Sequence, residues 1–388
     1  MRRAAIIVLD GMGIGPAPDT ERYGDAGSNT LGNVARAVGG LRLPNLTAFG
    51  LGNCGAIAGV DPVEHPLAAT GDCLPASQGK DSTTGHWEIC GLLLERPFPT
   101  YPDGFPDALL AEFTARTGRG VLGNRAASGT AILDQLGEEH LRTGKWIVYT
   151  SADSVFQVAA HEAVAPLEEL YAACAIAREM LQGPDAVSRV IARPFVGTPG
   201  HWTRTGGRKD FSLLPVGPTL LDRLEERGIP RVGVGKVDDL FAGRGISSTH
   251  TPTNEEAYQL IERALAEMES GLLLVNVIEF DQSWGHRNDV AGFVRGLEQL
   301  DARLPALLQP VRRDDLVIFT ADHGNDPTTP STDHSRERVP LLVYGPRVRP
   351  MPLGTRRTFA DIGQTVAEFL GAAPLSAGAS FLDEVWSD

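Results

Sequence analysis

The sequence predicts an α/β protein, with a doubly wound, mainly parallel sheet in a discontinuous core and an inserted α/β domain. Three observations lead there. Short aliphatic runs alternate with stretches of helical periodicity, two of the runs are followed directly by an aspartate and a third reaches one two residues on, and a long middle segment lacks the Asp and His residues that cluster on either side of it.

Residues 4–9, 146–150, 232–235, 272–280, 316–320 and 340–344 are β-branched and aliphatic enough to be buried on both faces, as parallel strands are. Residues 166–181 and 254–268 space their apolar side chains as helices do, and Thr253 with Glu256 is expected to form a capping box at the start of the second. At 388 residues the chain is longer than one core usually supports. Turn formers mark the edges of the middle segment: Pro97 and Pro99 with Pro102-Asp103-Gly104 on one side, Gly206-Gly207 on the other. The expected division is a catalytic core of residues 1–97 and 214–388 and an inserted domain of residues 98–213.

Composition narrows the function. Hydrophobic residues make up 42% and charged residues 22%, the balance of an ordinary globular protein. A formal charge of −14 leaves no general basic surface for nucleic acid or an anionic membrane. Small phosphorylated substrates stay open, because bound divalent cations and local Arg or Lys reverse the field inside one cleft. Cys54, Cys73, Cys90 and Cys174 have neither CxxC spacing nor the density of a disulfide framework, so buried reduced thiols are expected. The first apolar run meets Asp10 too early for a signal-peptide core, and no run approaches the ~20 residues of a membrane span. The cytoplasm is the expected compartment.

Asp10 ends the first strand and is followed by Gly11-Met12-Gly13-Ile14-Gly15, a turn that lets the backbone approach an ion or phosphate closely. Ligands of α/β sheets bind at these carboxyl ends. The design recurs at Asp281, with His286 five residues on, and at Asp322-His323, followed by His334. One such residue alone reads equally well as a turn or cap. Three aspartates and three histidines without a thiolate form an oxygen–nitrogen ligand set, enough for two divalent ions of the kind that act together in phosphoryl transfer. The segment Gly79-Lys80-Asp81-Ser82-Thr83-Thr84-Gly85-His86-Trp87-Glu88 offers three hydroxyls as nucleophile, Ser82, Thr83 and Thr84.

The combination resembles the phosphopentomutases of the alkaline phosphatase superfamily. The resemblance runs nearly end to end, through Asp10–Gly15, Tyr23-Gly24-Asp25, Leu43-Pro44-Asn45-Leu46, Gly79–Glu88, Tyr149-Thr150-Ser151-Ala152-Asp153-Ser154, Arg193-Pro194-Phe195-Val196-Gly197, Phe280–His286, Thr320–Pro327 and Thr332-Asp333-His334. It implies an alkaline phosphatase-like core whose inserted domain is a cap. It implies that Asp281, His286 and His334 bind one Mn²⁺ and Asp10, Asp322 and His323 the other, although this ligand set also accepts Zn²⁺ or Mg²⁺. Ser82 falls at the nucleophile, where the family carries Thr and the related phosphoglycerate mutases carry Ser. Lys236, Arg189, Arg193, Arg204 and Arg208 are the expected anion-binding groups, and Ser151, Asp153 and Val155 match the family's sugar-facing cap residues. The implied reaction interconverts ribose 1-phosphate and ribose 5-phosphate, and the 2-deoxyribose pair, through a phosphoenzyme primed by a sugar bisphosphate such as glucose 1,6-bisphosphate. A metal-dependent phosphatase or phosphodiesterase, a phosphoglycerate mutase and a non-catalytic sugar-phosphate sensor are the alternatives. The number of chains in an assembly is left open, a monomer being the simplest reading.

Overall fold

A computed structural model describes residues 2–151 and 153–387. Ala152 of the Tyr149–Ser154 motif lies outside the described residues. The chain forms two compact units, Met1–Pro97 with Pro215–Asp388, and Phe98–Leu214. In chain order the strands are β1 (Arg3–Leu9), β2 (Ala69–Cys73), β3 (Val121–Ala126), β4 (Trp146–Thr150), β5 (Val155–His161), β6 (Arg189–Thr198), β7 (His201–Arg204), β8 (Lys209–Ser212), β9 (Arg231–Val234), β10 (Ser248–Thr249), β11 (Gly271–Val277), β12 (Asp315–Thr320), β13 (Val339–Tyr344) and β14 (Pro352–Arg356).

The discontinuous unit is built on one sheet with the order β10-β9-β11-β1-β12-β13-β2-β14. Its central strands β11, β1 and β12 are parallel and buried along their whole length, which is why they read as mostly aliphatic runs. Register places Leu9 beside Val277 and Val8 beside Thr320, so the three carboxyl ends lie level. At the opposite end Arg3, 2% exposed, pairs with Asp315 across the same register, the buried charge matched by a buried partner.

Three expectations need correction. Residues 340–344 form a strand, but β13 runs antiparallel to both of its neighbours. The run at 146–150 is β4, in the unit Phe98–Leu214, and it is parallel to Val121–Ala126 but antiparallel to Val155–His161. The run from 272 stops as a strand at Val277 and continues as a π-helical turn, Phe280–Trp284. The Thr253 cap forms in part: its hydroxyl accepts from the Glu256 N–H at 3.3 Å, while the Glu256 carboxylate meets that hydroxyl and not the backbone. A complete capping box is found at Thr219 and Asp222.

The unit Phe98–Leu214 has its own mixed sheet, β3-β4-β5-β6-β7, with β8 on β6. One face packs Trp146, Val148, Phe156 and Val158 with Phe113, Leu170 and Cys174 of the helices Asp107–Thr117 and Leu167–Met180. The other packs Ile147, Tyr149, Ala159 and Phe195 under Ile132 and Leu133 of the helix Gly129–Thr143. Among the described residues no helix is long and apolar enough to cross a membrane.

Candidate metal centre

The level strand ends bring the acidic residues together. Asp10 follows β1, Asp281 sits in the π-helical turn after β11, and Asp322 with His323 follows β12. Gly11 has a φ of +75°, and a Cβ there would stand 3.1 Å from Asn325 Cβ and 3.3 Å from Asp281 Cβ. The left-handed turn thus leaves room for the neighbouring ligand, and its N–H donates to Asp322 Oδ1 at 3.2 Å.

Two constellations result. Asp281 Oδ2 lies 3.1 Å from His286 Nε2, and its Oδ1 lies 3.4 Å from His334 Nε2. His323 Nε2 lies 3.3 Å from Asp10 Oδ1 and 3.4 Å from Asp322 Oδ2. A tetrahedral ion with bonds of 2.0–2.1 Å separates its ligand atoms by about 3.3 Å, so these spacings suit a small divalent cation. The ring orientations agree: Nδ1 of His286 donates to the Thr332 carbonyl at 2.6 Å and Nδ1 of His323 to the Gly324 carbonyl at 3.0 Å, which leaves each Nε2 its lone pair. Asp322 Oδ2 is buried and accepts no hydrogen bond, since the proton of His86 Nδ1, 3.1 Å away, goes to the Ser82 carbonyl at 2.8 Å. A buried carboxylate oxygen without a donor is what a cation would satisfy. Asp10, Asp281 and His323 also converge as a group, so Asp281 stands between the two constellations.

Electrostatics reflect the crowding. Burial, then Asp322 and Asp281, push the Asp10 carboxyl up to about 6. Burial would lower the pKa of His286, but the Asp281 carboxylate outweighs it and raises it to about 9. His323 is likewise raised against its burial, chiefly by Asp322, whereas burial and the neighbouring His323 lower His334. Without cations, protons fill the role of counter-charge.

Ser82 opens the helix Ser82–Ile89, with its Oγ 3.0 Å from His323 Nε2 and 3.4 Å from Asp10 Oδ1. The Thr84 hydroxyl donates to Asp81 Oδ2 at 2.6 Å, completing the cap made by Asp81 on the Thr84 N–H. Of the three hydroxyls, Ser82 is the one that joins the Asp and His cluster.

The loop before Ser82 is held by residues to which the sequence pattern assigns no role. Arg336, 2% exposed, donates to the carbonyls of Pro75, Ser77 and Gly79, and Lys80 Nζ joins Asp25 at 2.8 Å to Asp333 at 3.2 Å. Glu88 accepts from Ala76 N, Ser77 N, Thr358 Oγ1 and Phe359 N. Asn325 Nδ2 donates to Asp281 Oδ1 at 2.7 Å and Asn276 Nδ2 to Asp10 Oδ2 at 2.9 Å. Asn276 carried a signal, as the polar residue of an otherwise aliphatic run, Leu272-Leu273-Leu274-Val275-Asn276-Val277-Ile278.

The remaining expected residues fall in two places. Lys236 belongs to the discontinuous unit, where its ammonium meets Gln282. Ser151, Asp153, Val155 and the four arginines belong to the other unit. Pairing of Val155 with Arg189 and of Ala159 with Arg193 puts both arginines on the sheet face that also carries Gln157 and Tyr149. Asp210 binds Arg208 through both oxygens at 2.7 Å and stands 3.6 Å from Arg189, Arg193 Nε donates to Gln157 at 3.1 Å, and Arg204 lies with the Tyr149 hydroxyl against Gly129. Among the described residues the Asp210 carboxylate lies among these guanidinium groups and offsets only part of a positive charge suited to phosphate.

A family model described as the metalloenzyme superfamily matches residues 2–374. A phosphopentomutase of Dictyoglomus turgidum is 55% identical over 387 residues, covering 99% of this chain and 98% of its own length. One of Carboxydothermus hydrogenoformans is 54% identical, covering 99% and 100%. Among solved structures, the PH0037 protein from Pyrococcus horikoshii shares the fold at a TM-score of 0.50 and 17% identity, over 97% of this chain and 99% of that one. The chain therefore belongs to the phosphopentomutases, isomerases within the metalloenzyme superfamily.

Proposed function

We propose that this chain interconverts ribose 1-phosphate and ribose 5-phosphate, and the corresponding 2-deoxyribose phosphates, with Ser82 as the residue that carries the phosphoryl group between turnovers. The observation that carries the reading is the position of Ser82 Oγ, 3.0 Å from His323 Nε2 and 3.4 Å from Asp10 Oδ1. Asp281, His286 and His334 would hold one divalent ion and Asp10, Asp322 and His323 the other, Mn²⁺ being our assignment and Zn²⁺ or Mg²⁺ fitting the same donors. When bound, such a pair supplies a lowered hydroxyl pKa and neutralises charge on the transferring group.

The chain's own part is positional. The Asp81 cap and the buried Arg336 and Glu88 fix the start of the helix, so the main chain that carries Ser82 belongs to a held helix end rather than to a free loop. Phosphoserine gives its group to the free hydroxyl of a pentose monophosphate, forming the 1,5-bisphosphate. After reorientation the bisphosphate returns its other phosphoryl group to Ser82 Oγ, leaving the isomeric monophosphate. We assign the arginines 189, 193, 204 and 208 to the second phosphate, Lys236 to the anionic substrate, and Ser151, Asp153 and Val155 to the sugar, with residues 98–213 as the cap. A cytoplasmic location and priming by glucose 1,6-bisphosphate complete the reading. The test is a coupled assay of ribose 1-phosphate against ribose 5-phosphate with each metal, run beside an assay for free phosphate. Interconversion with little phosphate release is the expected result, and stoichiometric release of phosphate would make the protein a phosphatase.

A further inference from the structure

Asn276 is a polar residue in the central strand β11 with its side chain 1% exposed, so its amide must find partners inside the protein. Its Nδ2 donates to Asp10 Oδ2 at 2.9 Å and approaches His86 Nε2 at 3.4 Å. A carboxylate in that position only accepts, which fixes the carboxamide with its nitrogen toward Asp10. His86, also 1% exposed, has Nδ1 2.8 Å from the Ser82 carbonyl. A carbonyl only accepts as well, and Asp322 Oδ2, 3.1 Å from the same nitrogen, favours the proton there. Nε2 is then left with a lone pair, and that lone pair faces Asn276. Asp10, Asn276, His86 and the main chain of Ser82 form one unbroken hydrogen-bonded chain.

We propose that Asn276 and His86 are positioning residues, a buried bridge that keeps the main chain of Ser82 in register with the Asp10 carboxylate. The inference rests on the reading of Ser82 as nucleophile and Asp10 as metal ligand. The two halves of the bridge come from a strand and a helix 190 residues apart in the sequence, so local chain geometry cannot set the distance between them. Neither residue needs to touch substrate. Breaking either link lets the helix start drift against the strand end, and a shift of about 1 Å at a reacting atom costs on the order of 10²-fold in rate.

The test compares wild type, Asn276→Leu, His86→Phe and the double variant. Each is stripped of metal, titrated with Mn²⁺ against a chromophoric chelator, then assayed with ribose 5-phosphate under saturating metal. Each single variant should lose about 10²-fold in kcat with KM within about threefold of wild type. The double variant should fall no further than the worse single, because both changes cut the same chain. Asn276→Leu should also weaken one of the two ions about 10- to 100-fold, while His86→Phe leaves both near wild type. Losses that multiply in the double variant, or a kcat within about threefold of wild type in either single, would overturn the bridge. A wild-type protein that binds fewer than two ions would overturn the two-ion reading itself, and the same titration reads that separately. Should an apolar variant not fold, Asn276→Ser and His86→Asn cut the same links with shorter polar side chains and are held to the same outcomes.

Discussion

Replacing Gly85 with alanine should misplace the nucleophile without unfolding the protein. Gly85 lies one turn after Ser82, on the side of the helix that meets the strand end at Asp322. A Cβ at residue 85 would stand 2.2 Å from the Asp322 carbonyl oxygen and 2.7 Å from Asp322 Cβ. Real contacts of this kind begin near 3.0 Å, so helix and strand end must separate by about 0.8 Å or more. Backbone, not a flexible side chain, is what has to move. Overpacking of this size costs about 1–3 kcal/mol, which a two-unit protein of this size tolerates. Ser82 Oγ, now 3.0 Å from His323 Nε2, would leave its place by a similar distance, and the expected loss in kcat/KM is about 10²-fold. Steady-state assays with ribose 1-phosphate, beside circular dichroism and thermal melting, measure both effects. A folded Gly85→Ala protein with kcat/KM within about threefold of wild type would refute the claim that this close approach sets the nucleophile's position.

Further predictions concern Ser82, Glu88 and, in the other unit, His140. Ser82→Ala should abolish turnover and phosphoenzyme, whereas Ser82→Thr should keep substantial activity because the oxygen remains; turnover in the alanine variant would move the nucleophile elsewhere. Glu88→Gln replaces one acceptor among four hydrogen bonds with a donor, facing either Ser77 N or the Ala76, Thr358 and Phe359 groups. About 1–3 kcal/mol of stability should be lost by denaturant titration, and an unchanged midpoint would contradict it. His140 accepts from the His161 N–H at 2.8 Å and donates to the Lys145 carbonyl at 2.6 Å, and burial lowers its pKa below 6.5. Its folded-state pKa is below its unfolded one, so its stabilisation is present above about pH 6.5 and lost as the pH falls through the depressed value. Thermal midpoints between pH 7 and 5 should fall more steeply for wild type than for His140→Leu, and equal slopes would count against it.

The legible parts of this chain are those written in local pattern. Buried parallel strands announce themselves as aliphatic runs, and an aspartate after such a run marks a place where ligands bind, so Asp10, Asp281 and Asp322 stand out from the amino-acid order alone. Pairing direction is not local: nothing in residues 340–344 says that β13 lies antiparallel, and nothing in residues 146–150 says that β4 runs antiparallel to β5. The turn after Val277 is hidden because Ile278 and Phe280 continue the apolar run through a change of backbone conformation. His86, Glu88 and Arg336 are visible as residues but not as supports, since their partners lie far away in sequence. Asn276 breaks its strand's pattern, and an unexplained polar residue one place before a strand end is the signal by which it can be found.

A mutase differs from a phosphatase in whether the phosphoryl group on Ser82 passes to a sugar and not to water. Metal-loaded protein incubated with glucose 1,6-bisphosphate, digested and mapped by mass spectrometry, followed by a chase with ribose 5-phosphate, measures this directly. The expected result is one phosphate on Ser82 that disappears in the chase as ribose 1-phosphate forms, with little free phosphate. A phosphate on Thr83 or Thr84, a phosphoenzyme that discharges as inorganic phosphate, or turnover without any phosphoenzyme would contradict it.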